Sequence, residues 1–140
     1  MLRRLASLFK NPHEFSVTHP GDACSGPLDA IAQVAARLPA VADKGLWATF
    51  TAGDGADPRV VELNADRINL CASDGPEIDL RRFLAAHGLG SLVPSAVRRD
   101  ANLYELPGAT PEQRALVVHA IFADHYGLGE DYPVRAHLHG

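Results

Sequence analysis

Apolar positions recur with two different periods along this chain. Leu28, Ile31, Val34, Ala35 and Leu38 fall at the spacing of one helical face, and Pro39 stands where a helix ends. Leu46–Thr51 then gathers aromatic and β-branched residues and runs into the turn cluster Gly53–Pro58, as expected of a strand and a hairpin loop. Arg59–Leu63 and Arg67–Cys71 predict two more strands joined by the tight connection Asn64–Asp66, completing an antiparallel meander. Ile78, Leu80, Phe83, Leu84 and His87 predict a second helix that starts after Gly75-Pro76 and stops at Gly88, with Glu77 and Asp79 at its positive end. Ser95–Arg98 and Asn102–Leu106 are the fourth and fifth strands.

The last helix carries the strongest local signature. Thr110 is its N-cap, Pro111 its first helical residue, Gln113 the third residue of a capping box, and Gly127 lies just past an end near Tyr126. Leu116, Val117, Val118, Ile121, Phe122 and Tyr126 give it a wide apolar face. The tail Tyr132–His139 alternates like a strand but leaves little chain to hold it. The predicted fold class is thus α+β in the order αβββαββα, an antiparallel sheet with helices packed on it, over residues 28–140.

Residues 1–27 read as an arm and a linker. Leu2, Leu5, Leu8 and Phe9 oppose Arg3, Arg4 and Lys10 in a short amphipathic pattern, which offers at most weak peripheral membrane contact. Asn11–Pro27, with Pro12, Pro20, Gly21, Gly26 and Pro27, has loop composition. The start lacks the apolar core and cleavage site of a secretory signal, and no apolar run approaches the roughly 20 residues of a membrane span.

Length and charge narrow the function classes. The 140 residues suit one domain, and 13 basic against 17 acidic side chains give a net charge of -4, which argues against a broad nucleic-acid surface. Cys24 and Cys71 have no CxxC spacing and are too few for a disulfide scaffold, so a reducing cytoplasm is expected.

The candidate chemistry is thin. Seven histidines invite a metal or acid/base reading. His137 and His139 share a face if extended, His119 and His125 occupy different helix faces, and His13 and His19 lie in the loop-like segment. A histidine-based metal enzyme would require His119, His125 or the tail histidines to converge with Asp124 or Glu130. His87 reads as a partly buried ring bonded to backbone. No local signature places a histidine or acid beside Cys24 or Cys71, Ser91 and Ser95 lie outside a GxSxG arrangement, and Gly53-Asp54-Gly55 is a turn rather than a nucleotide loop. Glu130-Asp131 reads as a solvated loop end, and the Arg81-Arg82 and Arg98-Arg99 pairs as rims for an acidic partner. Trp47 is expected in the core.

The element order over residues 28–126 resembles the type III secretion chaperone-like fold, including its YbjN-like bacterial relatives. The residues that carry the likeness are Trp47 on the opening strand, Val61-Glu62-Leu63-Asn64 on the next, the run Phe122–Leu128, and Asp131-Tyr132-Pro133. The resemblance implies a non-catalytic module, often a homodimer, that holds a segment of a partner protein without a cofactor. Trp47, Phe50, Val117, Ile121 and Phe122 are the candidate partner-binding residues, an assignment that fails if they are fully buried within one subunit. The competing expectation is a small metal-dependent enzyme using a histidine cluster.

Overall fold

The structure is a computed structural model that describes residues 14–38, 46–53, 58–70, 79–98 and 103–139. Strand β1, Phe15–His19, leads into helix α1, Pro27–Ala35. Strands β2, Trp47–Ala52, β3, Arg59–Leu63, and β4, Arg67–Leu70, form the expected meander. Helix α2, Leu80–Ala86, runs into a 3-10 turn over Gly90–Ser95, followed by β5, Val97–Arg98, and β6, Leu103–Glu105. Helix α3, Pro111–Ala120, continues as a π turn over Ile121–His125, and β7, Val134–His139, closes the fold.

All strand pairings are antiparallel, in one sheet of order β1-β7-β2-β3-β4-β6-β5. Two strands fall outside the expected αβββαββα order. Phe15–His19, read as loop, pairs with β7 from Phe15 opposite Leu138 to His19 opposite Val134. The tail that had too little chain to hold it sits between two strands, since β7 pairs with β2 along its whole length as well. Neither strand is stabilised locally; each is fixed by partners more than 80 residues away in sequence. Ser95 also departs from expectation, ending the 3-10 turn instead of opening β5.

The helix ends follow their local chemistry. Thr110 Oγ1 accepts from the Gln113 amide at 3.1 Å and Gln113 Oε1 accepts from the Thr110 amide at 2.9 Å, a complete capping box. Asp79 caps α2 by accepting from the Arg82 amide at 3.3 Å.

The core lies between the helices and one face of the sheet. Ala48, Phe50 and Ala52 of β2, Val61 and Leu63 of β3, Ile68 and Leu70 of β4, and Val134, Ala136 and Leu138 of β7 meet Ile31, Val34, Val117, Val118, Ile121 and Phe122. Helices α1 and α3 pack on each other, and α1 also lies against β1, β7 and β2. Each large side chain buried there contributes about 1.5–3 kcal/mol of transfer free energy.

The alternate residues of β2 and β7 face the other way. Trp47 opens β2 on that outer side, half-buried and opposite His139, so it is not the core anchor expected of it. Arg114 is the buried cation of α3, donating from Nη1 to the Asn64 carbonyl at 3.2 Å and the Ala65 carbonyl at 2.7 Å in the β3–β4 turn.

Candidate functional site

The π turn sets the geometry of the site. Its wider winding lets the Tyr126 amide bond to the Ile121 carbonyl at 2.9 Å, and the Leu128 and Gly129 amides then close on Phe122 and Ala123 at 3.0 and 3.1 Å. Gly127 at φ 71° and Gly129 at φ 80° supply the left-handed conformations that turn the chain back toward β7. Glu130 and Asp131 are thereby delivered to the ends of α3 and β1.

Each of these two carboxylates takes one imidazole. His119 Nε2 meets Glu130 Oε2 at 3.1 Å, while His119 Nδ1 lies 2.8 Å from the buried Tyr132 hydroxyl. His19 Nε2 meets Asp131 Oδ1 at 2.9 Å, and the Cys24 thiol lies 3.7 Å from His19 Nδ1. An ionised carboxylate can only accept, so in a neutral ring Nε2–H donates and Nδ1 is left as an acceptor. Tyr132 O–H and Cys24 S–H are the donors that fit. Burial, and then the negative charge of Glu130, push the Tyr132 phenol well above its usual range, which keeps it a donor.

A cleft of about 580 Å³ opens between these pairs. His19, His119, Glu130 and Asp131 line one side, and Ser25, Gly26, Pro27, Leu28, Asp29 and Ala32, from the start of α1, line the other. The carboxylates are the exposed partners, with the Glu130 and Asp131 side chains 85% and 83% exposed against 13% and 19% for the two imidazoles. The Glu130-Asp131 loop end is solvated as expected, yet it also orients both rings.

Two other histidine arrangements stand apart. His87 Nδ1 donates to the Phe83 carbonyl at 2.8 Å, as read from sequence, and its Nε2 lies 2.6 Å from Asp124 Oδ2, joining α2 to the π turn. His137 and His139 stack at 5.6 Å on the outer sheet face, where His139 Nε2 meets Thr49 Oγ1 at 2.6 Å. Together with Thr51 and Arg135 they line a shallow concavity of about 450 Å³. His125 lies edge-on to Phe83 and beside Tyr126.

The convergence required of a histidine enzyme is therefore partial. His119 does reach Glu130, but the tail histidines lie on the opposite face. Among the described residues, no three His, Cys, Asp or Glu side chains form a group that could hold a metal ion.

The five candidate partner-binding residues require correction. Phe50, Val117, Ile121 and Phe122 are each 0% exposed within one chain, because they fill the space between the sheet and the helices. Only Trp47 reaches the surface. Arg81 and Arg82 are exposed on α2, while Met1–Lys10, His13, Cys71 and Arg99 lie outside the described residues. His19 and Cys24 are close in sequence and flank Pro20-Gly21, a signal that sequence could have offered. Asp131 is 112 positions from His19, and nothing local announces it.

Comparison with family models, curated proteins and solved structures finds no match for this chain. Its class rests on its own geometry, an α+β protein with one antiparallel sheet, and no described helix is long and apolar enough to cross a membrane.

Proposed function

We propose that this chain is a protein-binding module, chaperone-like or adaptor in kind, that holds an extended segment of a partner protein by strand addition at β1. The observation that carries this reading is the edge position of β1, whose only sheet neighbour among the described residues is β7. An edge strand presents backbone donors and acceptors to an extended chain; on β1 the amide and carbonyl of Thr18 are already taken by Asp22, so the new strand would pair along the stretch around Ser16. Ser16 and Thr18 are exposed on it, and the outer face beside it, with half-buried Thr49, Thr51 and His137 and exposed Arg135, offers side-chain contacts next to the new strand.

Apolar docking on the helices has less support. Among the described residues Leu116, 43% exposed, is the large apolar side chain left at the surface, far too little for an apolar groove. The proposal keeps the mode of binding implied by the chaperone-like resemblance and moves its contacts from the core residues to the sheet edge.

The test places a photo-reactive amino acid at Ser16, at Thr18 and, as a control, at Arg82 on α2. One and the same partner protein crosslinked from Ser16 and Thr18, but not from Arg82, is the expected result. Equal crosslinking from all three positions, or none from β1, refutes strand addition.

A further inference from the structure

The loop between β1 and α1 is held in place from several sides. The Asp22 amide donates to the Thr18 carbonyl at 2.8 Å, and Asp22 Oδ2 accepts from the Thr18 amide at 2.9 Å. Gln33 Nε2 reaches back from α1 to the Ala23 carbonyl at 3.0 Å, and Asp29 Oδ2 accepts from the Ser25 amide at 2.9 Å. Cys24 is thus held on this loop, half-buried and in no disulfide.

The thiol does not stand alone. Its sulfur is 3.7 Å from His19 Nδ1 and 3.5 Å from the Asp22 carbonyl, and the opposite nitrogen of the same ring is held by Asp131 at 2.9 Å. Thiol, imidazole and carboxylate in this sequence are the arrangement that activates a nucleophile: a base within reach of the S–H, and a third group that fixes the base's tautomer. Cys24 is not itself on the wall of the cleft of about 580 Å³, but His19, whose ring lies against the sulfur, and Ser25 and Gly26, the next residues, are. The first turn of α1 lines the same cleft, and its positive end favours negative charge developing there.

We propose that Cys24 is a nucleophile activated by His19 and takes an acyl group from a neutral or cationic ester bound in this cleft. The charge of the substrate follows from Asp29, Glu130 and Asp131 on the cleft wall, and Pro27, Leu28 and Ala32 offer apolar surface to the acyl group. His19 Nδ1 takes the thiol proton as sulfur attacks the carbonyl carbon. The S–C bond forms, the C–O bond to the leaving group breaks, and the departing oxygen takes the proton from His19. Water then attacks the thioester and gives a proton to His19; the C–S bond breaks, and sulfur recovers that proton. The sum is ester plus water to acid plus alcohol. Asp131 is a positioning residue that acts through His19. This site lies on the helical side of the sheet, goes beyond the strand-addition reading and does not rest on it.

The full chain treated with p-nitrophenyl acetate, with acetylation located by peptide mass, tests the proposal. Cys24 is expected to acetylate roughly a hundredfold faster in the folded protein than in the same chain unfolded in urea, the scale of assistance from a placed base. His19→Gln, checked for folding by circular dichroism, is expected to bring the rate down to the unfolded value. Asp131→Asn lowers it and Asp131→Glu restores it, which a loss of local structure would not do. Acetylation of Cys24 in the folded protein at the unfolded rate overturns the proposal, as does a folded His19→Gln variant that reacts like the unmodified chain.

Discussion

Replacing Arg114 with methionine keeps the aliphatic stem and removes the guanidinium that closes the β3–β4 turn. That turn is tight: Asn64 Oδ1 accepts from the Asp66 and Arg67 amides at 3.1 and 2.8 Å, leaving the Asn64 and Ala65 carbonyls to Arg114 Nη1 at 3.2 and 2.7 Å. Asn64 and Ala65 are 8% and 7% exposed, so water cannot readily replace the lost donor. Each charge-assisted bond is worth about 1.5–3 kcal/mol. Against this stands the cost of holding the cation itself: burial lowers the Arg114 pKa, with Asp66 and then Glu112 opposing the shift, and Nε finds no hydrogen-bond partner among the described residues. The balance is a loss of roughly 2–4 kcal/mol for Arg114→Met. For 140 residues at about 2.1 cal/mol/K each, this lowers Tm by roughly 7–14 °C. Thermal unfolding by circular dichroism measures it, and hydrogen exchange should show the Asp66 and Arg67 amides opening first. A variant that melts within about 2 °C of the parent, or above it, refutes the reasoning, because desolvation of the guanidinium would then outweigh its two bonds.

Thr110→Ala removes one half of the capping box and should cost about 1 kcal/mol in urea unfolding, with Thr110→Ser close to neutral; equal losses for the two would point to packing instead. Tyr132 gives a pH-dependent effect. Its phenol titrates higher in the folded chain than the ordinary value of 10.0, so above that pH the unfolded chain releases a proton that the folded one retains, and stability falls as pH rises. Tyr132→Phe should remove about 1.4 kcal/mol per pH unit from that alkaline slope, at a cost of about 1 kcal/mol near neutrality for the lost His119 bond. Parallel stability curves for the two proteins above pH 10 would refute the assignment.

The sequence by itself determined the elements whose cause is local. The capping box at Thr110 and Gln113, the apolar face of α1 and the strand-forming runs of β2 to β4 are written within a few residues of where they act, and each is found in place. His87 was legible as a partly buried ring bonded to backbone, and the carbonyl it meets is that of Phe83, one turn earlier. Tertiary structure alone decided the rest. Phe15–His19 has loop-like neighbours and Val134–His139 has no strand partner nearby in sequence, yet each becomes a strand because distant strands supply its backbone partners, β7 for β1, and β1 and β2 for β7. Their pairing brings Asp131, at the foot of β7, beside His19, at the end of β1, and so places a carboxylate next to the Cys24 and His19 pair. The same packing withdrew Phe50, Val117, Ile121 and Phe122 into the interior. Apolar character tells that a side chain will leave water, but whether it does so within one chain or against another depends on which surfaces the fold brings together.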